Sequence, residues 1–164
     1  MAISHVQPVL LLLASLFFIP ALHALDFEYC NKSGYEFGNV SSVEISPNPV
    51  DLDDEPNITV SGYANQGIDY GSIEVHVTAG DVTHLMRRYF LCVVGDSCAI
   101  EAGTNFVLPL TEIPVDYTEG AAKYVYSIRL IDDDVKDAEE SILKLCVQFE
   151  LPLIDPRSVS VLSS

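Results

Sequence analysis

Four cysteines, two of the four histidines (His76 and His84) and two dense acidic runs are the residues of this chain whose types and spacing could do chemistry. Cys92 and Cys98 sit six positions apart around Gly95-Asp96, while Cys30 and Cys146 stand far apart. Thiols can hold zinc or pair as disulfides. Zinc sites use paired close cysteines or added histidines at matching spacing, and this pattern has neither. His76 lies beside Glu74, two residues away in a stretch that alternates like a strand. It reads as a surface histidine, and its functional reading is a pH response, since histidine titrates near 6.5. His84 reads the same way.

The acidic runs raise calcium, which takes several carboxylate oxygens. The first comprises Asp51, Asp53, Asp54 and Glu55; the second comprises Asp132, Asp133, Asp134, Asp137, Glu139 and Glu140. Neither spacing matches a calcium loop, and both read as solvated turns. No Gly-x-Ser-x-Gly, His-Glu-x-x-His or phosphate-binding glycine loop occurs. The sequence therefore predicts no metal, no cofactor and no enzyme.

The N-terminus supplies the compartment. Residues 1–24 hold an apolar run broken only by Ser15 and Pro20, and end in small residues at Ala24. The run is shorter than the ~20 apolar residues of a membrane span. It reads as a cleaved secretory signal, although it lacks Lys and Arg. All 24 acidic and 8 basic residues follow it, so the mature chain carries the whole formal charge of -16. Such a surface repels nucleic-acid backbones. An even cysteine count in a secreted chain reads as disulfides. Of three possible pairings, spacing favours Cys92 with Cys98 and Cys30 with Cys146. Sequons at Asn31, Asn39 and Asn57 are glycan candidates in this compartment. No retention signal of the Lys-Asp-Glu-Leu type ends the chain, so apoplast, vacuole and endoplasmic reticulum all stay open.

These residues must be held by strands. Apolar and polar residues alternate around Phe27 and Tyr29, then from 42 to 46, 57 to 61, 72 to 77, 124 to 130 and 143 to 151. Period-two alternation marks half-buried strands. Turn chemistry separates them at Pro47-Asn48-Pro49, Asn65-Gln66-Gly67, Glu119-Gly120 and Asp132-Asp133-Asp134. No segment carries a capped helical period. The expected fold is an all-β, antiparallel sandwich or barrel of six to eight strands. The expected inward set is Val43, Ile45, Ile58, Val60, Ile73, Val75, Val77, Phe106, Leu108, Tyr124, Tyr126, Ile128, Leu143, Leu145, Val147 and Phe149. Pattern alone makes this a packed core. The domain organisation read here is a leader over 1–24, one domain over 25–151 and a disordered tail over 152–164.

Parity adds one inference. Cys30 lies opposite Phe27 and Tyr29 in the alternation, and Cys146 lies opposite Leu145 and Val147. Both bridges are thus expected outside the apolar interior.

At these residues the chain resembles the ML-domain lipid-recognition family. That family includes the Niemann-Pick sterol carrier, the group 2 mite allergens and the lipopolysaccharide co-receptor of a Toll-like receptor. The likeness is greatest to its plant members, described as phosphatidylglycerol/phosphatidylinositol transfer proteins. The matching stretches are Phe27-Glu28-Tyr29-Cys30, residues 43–50, Ile58-Thr59-Val60-Ser61-Gly62, residues 92–100, Asn105-Phe106-Val107-Leu108, residues 124–130 and Leu145-Cys146-Val147-Gln148-Phe149. The acidic runs depart from the relatives' usual turns. The resemblance implies an immunoglobulin-like sandwich with a lipid cavity between its sheets, and the same two disulfides. It turns the inward set into candidate lipid-binding residues, with Tyr124 and Tyr126 offering hydroxyls to a head group at the mouth.

The expected function is a secreted or lumenal, monomeric carrier of a sterol or phospholipid that touches membranes transiently. The alternatives are an extracellular module that binds a receptor protein or presents lipid to it in defence signalling, and an accessory protein that presents lipid to a hydrolase.

Overall fold

The computed structural model describes residues 23–95, 98–115, 123–133 and 142–154. Nine strands and one helical turn follow in order: β1 (His23–Ala24), β2 (Glu28–Tyr29), β3 (Gly38–Ser46), β4 (Asn57–Ala64), β5 (Gly71–Ala79), β6 (Val82–Phe90), α1 (Leu91–Val94), β7 (Thr104–Leu110), β8 (Tyr124–Asp132) and β9 (Ile142–Glu150). They form two antiparallel sheets. Sheet A has the order β1-β3-β4-β7, and sheet B has the order β2-β9-β8-β5-β6. The two inner faces share one apolar core, giving the immunoglobulin-like sandwich that the family resemblance implies.

Alternation builds most of it. Side chains on a strand point to opposite faces in turn. In β4, Ile58, Val60 and Ala64 are buried while Asn57 and Tyr63 are exposed. Register then stacks like with like: Val60 pairs with Val43 on one side and Leu108 on the other. Gly80, at φ 63°, turns β5 into β6, a backbone angle that costs glycine little.

Two features escape the alternation. Strand β6 is an edge strand exposed on most of both faces, so it carries no period-two signal. At the other, β8 and β9 slip register: Leu130 pairs with Leu145, but Ile131 pairs with Leu143. Lys144 is the extra residue of this bulge. The parity of β9 flips there, and Leu143 ends 41 % exposed. Leu143 therefore leaves the inward set; a period-two reading through the bulge places it on the wrong face.

The strand ends divide the loops into two groups. Loops 30–37 and 65–70 and the described residues of 91–103 gather at one end, where β8 ends and β9 begins. Both disulfides lie there, Cys30–Cys146 and Cys92–Cys98. Cys146 is buried yet stands apart from the interior core, whereas Leu145 and Val147 on either side belong to it. The long bridge thus sits outside the sandwich interior. At the opposite end the chain continues past Leu151, where Val50 donates to the Pro152 carbonyl at 2.8 Å and Ile154 donates to the Val50 carbonyl at 2.9 Å. These contacts fall within the stretch expected as a disordered tail; residues 155–164 lie outside the described residues.

Candidate functional site

The candidate site is the space between the sheets at its stapled end. Fifteen of the sixteen expected inward residues are buried, all but Leu143. Sheet A contributes Val43 and Ile45 from β3, Ile58 and Val60 from β4, and Phe106 and Leu108 from β7. Sheet B contributes Ile73, Val75 and Val77 from β5, Tyr124, Tyr126 and Ile128 from β8, and Leu145, Val147 and Phe149 from β9. Tyr126 and Phe149 stack with centroids 6.4 Å apart, an offset arrangement favourable to aromatic pairs.

Loops close this interior with residues that the strand pattern misses. Phe37 lies 5.9 Å from Phe106, centroid to centroid. Ile68 and Ile100 form a backbone bridge, and Leu91 of α1 is buried beside them. At the other end Val50, Ile113 and Leu151 are buried. These residues sit in irregular segments where neither a period of two nor of 3.6 exists to reveal them.

Phe106 reaches the interior because residue 62 is glycine. A Cβ on Gly62 would strike both the Asn39 carbonyl and the Phe106 ring. Next to Phe106, a surface groove of about 260 Å³ runs along the stapled loop. Leu91, Ala99, Ile100, Thr104, Phe106 and Leu108 line it, together with Gly95, Glu101, Asn105 and Val107. Phe106 and Leu108, which belong to the shared interior, are among its lining. The Cys92–Cys98 bridge, with Cα atoms 3.8 Å apart, holds one wall. A groove below the ~300–1,000 Å³ usual for ligand sites admits part of an apolar molecule; a whole lipid requires the sheets' side chains to part.

The hydroxyl assignment needs correction. Tyr126 is fully buried, and its hydroxyl donates to the Pro114 carbonyl at 3.3 Å. That hydroxyl is spent within the fold, because Tyr126 points into the core from mid-strand and away from the stapled end. Tyr124 is buried at the far end of β8.

The charged residues lie outside the interior. His76 Nε2 and Glu74 Oε2 are 2.9 Å apart, each side chain 14 % exposed. Arg88 donates to the same carboxylate from β6, at 3.0 Å through Nε. Burial alone would push the Glu74 carboxyl up, but hydrogen bonds and charge from His76 and Arg88 outweigh it and hold it below its usual range. His76 is accordingly half-buried and engaged; His84 is exposed. In the first acidic run, Asp54 accepts from the Asp51 amide at 2.8 Å and Asp51 accepts from the Leu52 amide at 2.7 Å, as in a local turn. In the second run, Asp132 pairs with Lys144 at 3.2 Å, while Asp134, Asp137, Glu139 and Glu140 lie outside the described residues. The sequons are exposed: Asn39 and Asn57 on the outer side of sheet A, and Asn31 in the β2–β3 loop.

The described residues form an antiparallel two-sheet sandwich with an apolar interior, stapled at one end and grooved beside the staple. Residues 24–153 match the ML-domain family model, and the chain belongs to the ML-domain family of lipid-recognition proteins. It is 42 % identical over 168 residues to MD-2-related lipid-recognition protein 3 of Arabidopsis thaliana, covering 98 % of this chain and all of that one. It is 37 % identical over 146 residues to the MD-2-related lipid-recognition protein ROSY1 of the same plant, covering 87 % of this chain and 89 % of that one. Among solved structures, a Niemann-Pick type C2 protein from Japanese carpenter ant superposes with a TM-score of 0.59 at 16 % identity, over 79 % of this chain and 99 % of that one. Chicken MD-1 complexed with lipid IVa gives 0.50 at 15 % identity, over 78 % of this chain and 94 % of that one. At such identities the two structures speak to the fold alone.

Proposed function

We propose that this protein is a secreted or lumenal lipid carrier that holds a sterol or phospholipid between its sheets and passes it between membranes. The observation that carries the reading is the groove lined in part by Phe106 and Leu108, two residues of the shared interior. Affinity comes from burial. A few hundred Å² of lipid surface at about 25 cal/mol per Å² gives several kcal/mol before the cost of association. No covalent step is needed. The leader and sequons support a secretory route, with glycans at Asn31, Asn39 and Asn57. The relatives' names support lipid recognition, and chicken MD-1 was solved with lipid IVa.

Native mass spectrometry of protein secreted from a disulfide-competent host tests this. A sterol or phospholipid at near-stoichiometric occupancy is the expected result. An empty, folded protein that also takes up no added lipid sinks the carrier reading. A second reading, a module that binds a receptor or presents lipid to it, is favoured by edge strand β6 and α1, where Val82, Leu85, Phe90 and Val93 are each more than half exposed. A packed interior together with capture of a receptor ectodomain through β6 would support it.

A further inference from the structure

Two sheet edges meet along one side of the sandwich. Strand β7 is the edge of sheet A, and β6 is the edge of sheet B. Side chains of β6 cross to the backbone just past β7. The Tyr89 hydroxyl donates to the Thr111 carbonyl at 2.7 Å. Arg87 donates to the Glu112 carbonyl and faces the Glu112 carboxylate at 3.4 Å. Its guanidinium also lies 5.5 Å from the centre of the Tyr89 ring. The groove beside the staple lies on the same seam. Its lining includes Leu91, which follows β6, and Leu108 of β7. Moving away from the staple, the next contacts between the two edges are Tyr89 with Thr111 and then Arg87 with Glu112. The seam is thus grooved at the stapled end and tied directly beyond it.

The ties are polar where apolar residues are expected. Register sets Tyr89 beside Ile73 and Arg87 beside Val75, both buried in the core. Cross-strand partners share a face, so Tyr89 and Arg87 hold inward positions of β6. Aliphatic side chains there would seal the seam by burial. A phenol and a guanidinium tie it through hydrogen bonds instead. Arg87 is 39 % exposed and Glu112 67 %, and ion pairs this open to water add little stability. Glu112 is also the one non-glycine residue with positive φ, 53°, among those described. L residues adopt that backbone only at a cost, and strain of this kind persists where neighbours hold it. Here Arg87 holds the Glu112 carbonyl, and Asn57 Oδ1 accepts the Glu112 amide at 3.3 Å. Releasing Arg87 lets this turn relax, which offsets part of the cost of parting the seam. The opposite side of the sandwich differs. There the Val40 amide donates to the part-buried Tyr29 hydroxyl at 2.8 Å, and the chain itself crosses from β2 to β3.

We propose that the β6–β7 seam is the route by which lipid enters and leaves the interior, with Arg87 and Tyr89 as the clasp that holds it shut. This rests on the carrier reading above and adds to it where the sheets part. Opening continues the groove along the seam and bares the inner faces of β6 and β7 without breaking a strand pair.

The test uses the secreted, disulfide-bonded protein. Uptake from phosphatidylcholine vesicles carrying dehydroergosterol or a fluorescent phosphatidylcholine is timed by stopped flow, and release into unlabelled vesicles is timed in return. The Arg87→Gln/Tyr89→Phe variant should speed uptake and release alike, each by about tenfold, as expected for losing modest hydrogen bonds, with occupancy at equilibrium unchanged. If the double variant does not fold, Tyr89→Phe keeps the ring and should speed both rates about threefold on the same grounds. Tyr29→Phe, which removes the tie on the opposite side, should speed neither. A wild type that takes up neither probe overturns the carrier reading, and the portal with it. Wild-type uptake with rates that the clasp variants leave unaltered overturns the portal alone. So does faster release without faster uptake, which would make the pair a ligand contact, and so does equal acceleration by Tyr29→Phe, which would mean general loosening.

Discussion

Ile68 and Ile100 exchange two backbone hydrogen bonds, of 2.9 and 2.8 Å, across two loops 32 residues apart in sequence. This bridge ties the β4–β5 loop to the stapled loop, and Ile100 lines the same groove as Phe106. It explains a staple as short as Cys92–Cys98: the bridge fixes the segment that delivers Ile100 to its partner, and so shapes the groove wall without occupying the interior.

The two disulfides should differ in their thermodynamic weight. In the chain-entropy account, closing a separation of 116 residues is worth about 5 kcal/mol and closing one of 6 about 2 kcal/mol. Chemical denaturation of the Cys30→Ala/Cys146→Ala and Cys92→Ala/Cys98→Ala double variants should show that order. The second variant should retain most of its stability while its lipid uptake changes. Equal losses of stability would remove the distinction.

Gly62→Ala should destabilise the fold by about 1–3 kcal/mol through overpacking, because its Cβ meets the Asn39 carbonyl and the Phe106 ring. Gly34→Ala meets no neighbour but sits at φ 73°, so it reports backbone strain alone. Urea unfolding of both separates crowding from strain. A neutral Gly62→Ala would mean that Phe106 moves freely.

Filling the groove should slow lipid uptake. Ala99 is half-buried on its wall, so Ala99→Phe adds bulk there with little cost to the core. Uptake of a fluorescent sterol or phospholipid should fall about tenfold, equivalent to about 1.4 kcal/mol, with the thermal midpoint nearly unchanged. Unaltered uptake would place the way in elsewhere.

Glu74 gives a pH signature. Its folded-state carboxyl titrates below the ordinary value of 4.5. A depressed pKa contributes stability that is present above the unfolded value and lost as pH falls through the folded one. The gap in unfolding free energy between wild type and Glu74→Gln, about 1–2 kcal/mol for charged hydrogen bonds of this kind, should therefore be full above pH 4.5 and shrink below it. A gap that stayed constant into strong acid would show that the carboxylate's charge is irrelevant.

Much of this protein is written in its alternation. Val43, Ile58, Ile73 and Val147 could be assigned to an inner face because each lies in a strand stretch that alternates without a bulge, where side-chain direction depends only on count. Spacing and parity likewise gave the disulfide pairing and set the long bridge outside the core. Leu143 was misplaced because one inserted residue, Lys144, reverses direction locally, and a bulge depends on cross-strand pairing. Strand β6 was invisible because an edge strand that packs only Met86 and Tyr89 against the core has no regular apolar side to repeat.

What the sequence by itself determined is therefore the fold class, the face on which most core residues lie and the covalent cross-links, all consequences of local periodicity and thiol count. Only the tertiary structure decided where the groove lies, that the Tyr126 hydroxyl is spent on the Pro114 carbonyl, and that Glu74 takes Arg88 and His76 and leaves the Arg129 Nε without a hydrogen-bond partner. Those outcomes depend on which loops meet and which neighbour wins a shared carboxylate, and they are settled by contacts between residues distant in the chain.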